Sequence, residues 1–291
     1  MIYDKERNKM AVRFIIDSAS DILPSEAKKL GLIHIPLTIT FGKTEYRDAV
    51  DLTHREFYEK LIESDELPST SQISPATYSE VFRKVTENGD EAVVITLSGG
   101  LSGTYQSALI ASEDYKDNIF VVDSRSVCVG ERILVQRALE LAKNGLSAKE
   151  IADIIEAEKE KVKVLALLDT LEYLKKGGRI SAATAVAGGI LSIKPVITVK
   201  DGKVELVGKA RGSKKGNNLL RELIGQCGGI DFDKPYALAY SGLTDSLLNK
   251  YIEDSGEIWK SHTDTLPITT VGCTIGTHVG PGAVAVAFFE K

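Results

Sequence analysis

Short runs of apolar, often β-branched residues alternate with amphipathic stretches in the first half of the chain. This alternation constrains the fold more than any other feature. It predicts strands at Val12–Ile16, Leu32–Thr40, Ala92–Leu97 and Ile119–Val122, and helices after Thr53, Ser74, Ser102 and Gly130. Helices that alternate with strands in this way act as crossovers between mostly parallel strands. The first half is therefore predicted to be an α/β domain, a mostly parallel sheet with flanking helices.

Three helix starts are signalled by their capping residues. Thr53 with Glu56, and Ser147 with Glu150, have the spacing of a capping box, in which each side chain bonds the other's backbone N–H. Ser74 places a capping hydroxyl directly before Pro75. These signals strengthen the helix predictions at those positions.

The second half of the chain has a different pattern, which begins after the charged run Glu156–Lys163. A predicted strand at Val164–Leu168 is followed by two further strands, Pro195–Lys200 and Lys203–Lys209, which flank the type I′ turn signal Asp201-Gly202. This antiparallel hairpin is predicted to have no counterpart in the first half. We therefore predict two domains, an N-terminal α/β domain over residues 11–160 and a C-terminal α+β domain over residues 161–291. A ligand is expected in the cleft between them.

Charge and cysteine content exclude several classes of protein. The 291 residues carry 36 basic and 41 acidic side chains, a net charge of −5, so no global positive field attracts a nucleic acid or an anionic membrane. Three cysteines without C-x-x-C spacing indicate reduced thiols in a cytoplasmic protein and argue against a disulfide framework or a zinc site. The first ten residues read as a polar leader without the apolar core of a signal peptide.

One segment, Thr265–Phe289, lacks formal charge over a length that could span a bilayer. Its prolines and glycines do not match the composition of a membrane span, and no stable membrane insertion is expected. The segment is predicted instead to form two buried strands, Ile268–Val271 and Ala283–Phe289, joined by a glycine-rich loop.

Acidic residues follow the first predicted strand, in the motif Asp17-Ser18-Ala19-Ser20-Asp21. Open parallel sheets present their ligand-binding loops at this position. The two carboxylates could bind Mg²⁺, or Asp17 could act as a nucleophile in phosphoryl transfer. Alternatively, Asp17 and Ser18 bond only the amides of a turn.

Two further loops are rich in hydroxyl groups and glycine. In the segment from Pro68 to Pro75, the neutral donors Thr70, Ser71 and Gln72 could bind an anion near a helix start, or could stabilise the loop alone. The segment Ser98–Thr104 joins a strand to a helix through Gly99, Gly100 and Gly103, and is favoured as an anion cradle. It matches neither a phosphate-binding P-loop nor a serine-hydrolase elbow.

Arg211 and His278 are the notable basic side chains of the second half. A guanidinium neutralises an anionic head group, and an imidazole donates a hydrogen bond to it. Lys214 and Lys215 beside Arg211 are expected to be solvated, and a single histidine such as His278 is more often structural than ligand-binding. With four histidines and no H-E-x-x-H spacing, a zinc enzyme is not expected.

These motifs together, in this order, resemble the DegV family from about Val12 to Phe289. The resemblance is carried by five elements: Asp17-Ser18 with Asp21; Thr70-Ser71-Gln72 with Ser74; Leu101-Ser102-Gly103-Thr104-Tyr105 with Ser107; Leu168-Asp169-Thr170-Leu171 with Gly177-Gly178-Arg179-Ile180; and Ile275-Gly276-Thr277-His278 with Gly280-Pro281-Gly282. No one of them is sufficient, but five in register across two predicted domains are specific.

The resemblance implies a carrier protein without catalysis of its own, metal or cofactor. Such a protein encloses one long-chain fatty acid in an apolar tunnel and presents the carboxylate, at the domain interface, to a separate ATP-dependent fatty acid kinase. The acyl phosphate formed is destined for phospholipid synthesis. Carried over by motif, the carboxylate ligands are Thr70, Ser98, Gly99 and His278, Arg211 serves the head group or kinase docking, and Asp17, Ser18, Ser71, Gln72, Ser102, Gly103 and Thr277 support the loops.

This chain departs from the family where a serine pair often precedes the Leu-Ser-Gly element. Here the pair is Ser98-Gly99, so the carboxylate contact falls either to Ser98 or to a backbone N–H of Gly99 or Gly100. Two other functions remain open at this point. One is a metal-dependent phosphotransferase or hydrolase that uses Asp17 and Asp21, and the other is a nucleotide-binding regulator that uses the Ser98–Thr104 loop.

Overall fold

The apolar runs of the first half form a parallel sheet, as predicted. A computed structural model describes residues 11–181, 193–262 and 266–291. The strands of the first half are β1 (Val12–Asp17), β2 (Leu32–Ile35), β3 (Thr38–Phe41), β4 (Thr44–Arg47), β5 (Ser69–Ser71), β6 (Glu91–Thr96) and β7 (Ile119–Asp123). The first sheet has the order β2-β1-β6-β7, and each pair in it is parallel.

Helices alternate with these strands along the first half of the chain. They are α1 (Pro24–Leu30), α2 (His54–Glu63), α3 (Pro75–Glu87), α4 (Thr104–Ser112), α5 (Val129–Lys143) and α6 (Ala148–Glu158). The capping boxes at Thr53 and Ser147 are both formed, and Ser74 caps α3 as predicted.

The prediction of one strand over Leu32–Thr40 was wrong, because the chain changes sheets at Pro36. Proline cannot donate to a strand ladder, and the next N–H, that of Leu37, donates to Ser18 Oγ instead (3.0 Å). Downstream of this break, β3 pairs antiparallel with both β4 and β5 in a three-stranded sheet. The first half therefore does contain an antiparallel hairpin, contrary to prediction.

The second half forms a six-stranded, mostly antiparallel sheet. Its strands are β8 (Val162–Leu167), β9 (Ile193–Lys200), β10 (Lys203–Arg211), β11 (Ala237–Tyr240), β12 (Ile268–Thr270) and β13 (Val284–Phe289), in the order β10-β9-β8-β13-β11-β12. The predicted hairpin is confirmed: Asp201 and Gly202 have φ of 48° and 73°, the positive pair that a type I′ turn needs. The helices of this half are α7 (Glu172–Lys176), α8 (Ser213–Gln226), α9 (Ser246–Asp254), α10 (Gly256–Trp259) and α11 (Cys273–Val279).

The glycine-rich stretch before β13 was predicted to be a loop, and that prediction was wrong. Residues Cys273–Val279 form α11, whose last turn carries His278. Only one of the two flanking strands is buried as predicted, since Ile268 on β12 is 44% exposed whereas every residue of β13 is buried. Within the described parts of the chain, no helix combines the length and the apolar character needed to cross a membrane.

Helix α5 lies between the two large sheets and joins their cores. It contacts β6 of the first sheet and β8, β11 and β13 of the second, and most of its first two turns is buried. One hydrophobic cluster runs through both sheets, from Phe14 and Ile95 to Ala166 and Ala285. A second cluster around Trp259 lies beneath α8 and α9, and a third lies between α2 and the small sheet. The change of sheet falls between α6 and β8, near the predicted division after residue 160, and the division into separate domains stays a prediction.

Candidate functional site

An apolar cavity lies between the two large sheets. Its volume is about 190 Å³. The second sheet contributes Val164, Ala166, Ile197, Val199, Ala283 and Ala285 to its wall, and the first half contributes Leu97, Val127 and Cys128. A cavity with this wall suits an apolar ligand.

The space exists because the strand facing it carries small side chains. Ala283, directly before β13, and Ala285 and Ala287 on it belong to the core shared with the first sheet, whereas Val284, Val286 and Phe288 pack into the cluster on the other face. Successive side chains of a strand point to opposite faces, so the alanines share one side of the sheet, and Ala283 and Ala285 line the cavity there. The sequence pattern thus fills one face of the sheet and leaves room on the other.

A polar pair, Thr70 and His278, lies in the cavity wall. Thr70 is on β5, held by its pairing with Ile39, rather than on the predicted loop. Its Oγ1 lies 3.1 Å from Nε2 of His278. The imidazole packs closely over Gly177, where an added Cβ would come within 2.2 Å of Nδ1. Glycine at position 177 is therefore required for this placement of the ring.

Burial keeps the His278 imidazole neutral. Desolvation, with a smaller contribution from the nearby Arg179 cation, lowers the pKa of His278 to about 4. A neutral imidazole donates from one ring nitrogen and accepts at the other. When Nε2–H donates to Thr70 Oγ1, the threonine hydroxyl is free to donate its own proton to a ligand in the cavity.

The other predicted loop residues are placed beside this pair. Thr70, Ser71, Gln72, Ser102 and Gly103 all line the cavity. Gln72 Nε2 donates to Ser107 Oγ (3.0 Å), and its Oε1 occupies the space where a Cβ on Gly103 would lie, 2.0 Å away. The two hydroxyl-rich segments therefore form one continuous wall. The Thr277 hydroxyl instead donates to the Cys273 carbonyl within α11.

The structure does not bring Ser98 and Gly99 to the cavity, contrary to expectation. Ser98 Oγ donates to the carbonyl of Gly202 in the hairpin turn of the second half (2.7 Å) and accepts from Gly100 N–H (3.1 Å). Gly99 N–H donates to Asp123 Oδ1 (3.1 Å). This loop thus joins the two halves of the molecule, and neither Ser98 nor Gly99 faces the apolar space.

Arg179, rather than Arg211, is the cation beside the cavity. Arg211 ends β10 with an exposed side chain and is not part of the cavity wall. Arg179 lines the cavity, and its guanidinium donates to the carbonyls of Leu101 (3.0 Å) and Gly177 (2.7 Å). Arg179 belongs to the Gly177-Gly178-Arg179 motif of the family resemblance, but it was not predicted to be a site residue. The two glycines before Arg179 were the feature of the sequence that could have indicated its role in the site.

Asp17 and Asp21 are structural groups, buried away from the cavity. Asp17 accepts backbone bonds from Ala19 and Leu97 (2.9 and 2.8 Å), and Asp21 Oδ1 accepts from Gly272 (2.9 Å). Burial raises the pKa of Asp17 to about 7 and that of Asp21 to about 8. Of these amides only that of Ala19 belongs to the same turn, since Leu97 and Gly272 are distant in the chain, so the two carboxyls bond more than the turn amides that were expected. These structural bonds do not favour the metal-dependent phosphotransferase. Ser18 likewise bonds Asp48 Oδ2.

Comparison with known proteins places this geometry in a family. A family model described as "Uncharacterised protein, DegV family" matches residues 11–291. A DegV domain-containing protein of Caldanaerobacter subterraneus subsp. tengcongensis is 35% identical over 283 residues, which cover 96% of this chain and 99% of the relative.

Solved structures with the same fold are similar over almost the whole chain. A fatty-acid-binding DegV family protein from Thermus thermophilus superimposes with a TM-score of 0.84 at 30% identity, covering 97% of this chain and 100% of that one. A stearic-acid-binding protein from Eubacterium ventriosum superimposes with a TM-score of 0.83 at 28% identity, covering 97% and 99%. The architecture predicted from the sequence, a mostly parallel sheet with flanking helices followed by an α+β unit, is confirmed by these structures.

Proposed function

The chain belongs to the DegV family, and on that premise we propose that it binds one long-chain fatty acid in its central cavity and presents the carboxylate to a separate ATP-dependent fatty acid kinase. The observation that carries the proposal is an apolar cavity between the sheets with the Thr70–His278 pair in its wall. Binding without turnover is proposed because the site is built for holding a ligand, with a neutral imidazole and a hydroxyl as its central polar groups.

The acyl tail supplies most of the affinity in this proposal. Burial of a methylene contributes about 0.8 kcal/mol, so a tail of roughly 14 methylenes contributes at most about 11 kcal/mol before ordering costs. The alanine face of β13 and the valines of β8 and β9 offer the apolar surface for it. The head-group bonds then mainly orient the ligand.

The head group is proposed to lie at Thr70, with His278 behind it. Nε2–H of His278 donates to Thr70 Oγ1, and the threonine hydroxyl donates to the carboxylate. Within the described residues of the cavity wall, Arg179 is the only side chain with a formal charge, because His278 is neutral. A single cation without an acidic neighbour in the wall favours an anionic head group over a neutral or cationic one.

The kinase step is proposed from the family resemblance. One carboxylate oxygen attacks the γ-phosphorus of ATP on the partner, ADP leaves, and an acyl phosphate forms. Neutral donors such as Thr70 leave the carboxylate electron-rich enough for this attack. Arg211, exposed at the end of β10, is retained as a docking residue for the kinase and not as a head-group ligand. The three unpaired cysteines support a cytoplasmic location.

Mass spectrometry of the purified protein tests the binding proposal directly. Under native conditions we expect a mass excess of one fatty acid, which is lost on denaturation and recovered in an organic extract. Delipidated protein should take up an added fatty acid at one equivalent. If no lipid is bound and none is taken up, the carrier function is wrong.

A cavity-filling variant links the lipid to this cavity. Ala285→Leu adds branched volume to the wall at a buried position, so we expect it to fold and to lose most fatty-acid uptake. The control is Val207→Leu, an exposed position on β10 outside the cavity wall, which should bind normally. Equal uptake by wild type and Ala285→Leu would place the lipid elsewhere.

A further inference from the structure

Three side chains from distant parts of the sequence converge beside the first turn of α11, outside the cavity wall. Asp48 follows β4, His54 begins α2 and Cys273 begins α11, and their ligand atoms all lie within 4.8 Å of one another. Asp48 and Cys273 are completely buried. We propose that Asp48, His54 and Cys273 bind a divalent transition-metal ion, for which Zn²⁺ is the best match.

The Asp48 carboxylate has one oxygen available for a metal. Its Oδ2 accepts three hydrogen bonds, from Ser18 Oγ, Thr274 N–H and Thr274 Oγ1 (3.1, 3.1 and 2.6 Å). Among the described residues its Oδ1 accepts one backbone bond, from Cys273 N–H at 3.2 Å, and the other group beside the carboxylate is the thiol of Cys273 itself. A carboxylate oxygen has two lone pairs, so Oδ1 can bind an ion while Oδ2 continues to cap α11.

The imidazole of His54 is also available. Its Nδ1 is buried and has no hydrogen-bond partner among the described residues. Its Nε2 lies against Gly272, where an added Cβ would come within 3.0 Å. A buried ring nitrogen without a partner calls for an explanation, and a neutral imidazole binds a metal ion through either ring nitrogen.

The Cys273 sulfur completes the donor set. Its thiol lies 3.6 Å from the carbonyl oxygen of Leu52. On metal binding the thiol proton is released to solvent and the sulfur binds as thiolate. One thiolate and one carboxylate then balance the two positive charges of the ion, and the imidazole binds in its neutral form.

The chemistry of the donors selects the metal. Nitrogen, sulfur and oxygen ligands together suit Zn²⁺, whereas Mg²⁺ and Ca²⁺ prefer oxygen alone. Zinc–ligand distances of about 2.0–2.3 Å place neighbouring ligands roughly 3.3–3.8 Å apart around a tetrahedral ion. Side-chain movements that shift the ligand atoms by about 1 Å would therefore bring them to coordination distance. Water would occupy the fourth position.

Titration with Co²⁺, a spectroscopic probe for zinc sites, tests the proposal. Protein freed of metal by a chelator and kept reduced should develop a thiolate-to-cobalt charge-transfer band and the visible bands of a tetrahedral site. Zn²⁺ should displace both and raise Tm by several degrees. Absence of these bands in the wild type would overturn the proposal.

Variants identify the ligands. Cys273→Ser should abolish the charge-transfer band, and Cys227→Ser, which changes a partly exposed cysteine outside the cluster, should keep it. Persistence of the band in Cys273→Ser, or its loss in Cys227→Ser, would contradict the assignment. His54→Gln should weaken Co²⁺ binding by more than the roughly 10–100-fold that loss of an outer-sphere partner costs. If Cys273→Ser does not fold, unchanged Co²⁺ affinity in His54→Gln is sufficient to overturn the proposal.

Discussion

At the scale of single residues, a change at Thr70 is expected to disturb the orientation of the fatty-acid carboxylate more than the affinity for the fatty acid. A hydrogen bond to a charged group contributes about 1.5–3 kcal/mol, which is small beside the contribution of a buried tail. We expect Thr70→Val to weaken fatty-acid binding by about tenfold, the lower end of that range. Acyl-phosphate formation with the cognate kinase should fall further, because the carboxylate is no longer held in one orientation.

The matched control for this variant is Ser69→Ala, on the same strand but outside the cavity wall. It should behave like the wild type in both a fatty-acid dissociation assay and the kinase-coupled assay. Unchanged coupled activity in Thr70→Val would remove Thr70 from the head-group site.

Glu131 is a second residue with a distinct, testable role, because it is a fully buried carboxyl. Neither of its oxygens has a hydrogen-bond partner among the described residues, and burial raises its pKa well above the ordinary value. The folded protein therefore keeps this group protonated at a pH where the unfolded chain has released the proton, which costs stability. We expect Glu131→Gln to stabilise the protein by about 1–3 kcal/mol at pH 8.

The gain from Glu131→Gln should shrink towards pH 5, where the unfolded chain begins to hold the proton too. Glu140→Gln, on the exposed face of the same helix, is the control and should change little at either pH. Urea unfolding at both pH values measures the effect. A gain of the same size at pH 5 and pH 8 would show that ionisation is not its cause.

At the scale of elements, the hairpin turn between β9 and β10 fastens the second half to the first. Gly202 has φ of 73°, and its carbonyl accepts the bond from Ser98 Oγ. A Cβ at this position would lie 2.6 Å from Ser98 Oγ. We expect Gly202→Ala to lower stability by about 1–3 kcal/mol, through backbone strain and loss of this contact.

Gly225→Ala is the corresponding control. Gly225 lies inside α8, and nothing lies within 4 Å of an added Cβ there. This change should stabilise the protein by a few tenths of a kcal/mol to about 1 kcal/mol. Thermal unfolding of both variants checks the pair, and a Gly202→Ala protein as stable as the wild type would show that the turn does not fasten the two halves.

Elements with local signals could be predicted from the sequence. The capping boxes at Thr53 and Ser147 and the turn at Asp201-Gly202 depend on residues close in the chain, and each is formed as expected. The break at Pro36 was misread because apolar residues continue on both sides of it. Helix α11 was missed because its glycines argue against a helix, whereas the N–H groups at its start are held by Asp21 and Asp48 from the other half.

The site could be predicted only in part, because some of its residues are placed by contacts with distant parts of the chain. Residues of Thr70-Ser71-Gln72 and of Ser102-Gly103 reach the cavity together with His278. Ser98 does not, because its hydroxyl is taken by Gly202, a partner 104 residues away. The Asp48, His54 and Cys273 cluster spans 225 residues between Asp48 and Cys273, and no spacing motif connects its members.

At the scale of the whole molecule, buried ionisable groups predict how stability changes with pH. Burial raises the pKa of Asp17 to about 7 and that of Asp21 to about 8, from an ordinary value of 3.8. Between about pH 3.8 and the raised pKa of each carboxyl, the folded state binds more protons than the unfolded chain. The stability of the folded state therefore falls as pH rises through this range. Glu131 acts in the same direction.

The buried histidines act in the opposite direction at lower pH. Desolvation lowers the pKa of His278 from 6.5 to about 4 and also lowers that of His34. Below about pH 6.5 the histidines become protonated in the unfolded chain but stay neutral in the folded protein. Acidification therefore lowers the stability of the folded state in this range. The carboxyl and histidine effects therefore oppose each other below about pH 6.5 but not above it.

Tm should consequently decline from about pH 6.5 to pH 8, the folded-state pKa of Asp21, and change little from pH 6.5 to pH 5. Each carboxyl contributes at most about 1.4 kcal/mol per pH unit to the decline. Calorimetry across this range, in chelator and on delipidated protein, measures the curve without ligand or metal binding. Glu131→Gln should flatten the alkaline slope, because one of the contributing groups is gone. A Tm that rises between pH 6.5 and 8 would mean that these carboxyls are ionised in the fold, stabilised by their backbone hydrogen bonds more than they are penalised by burial.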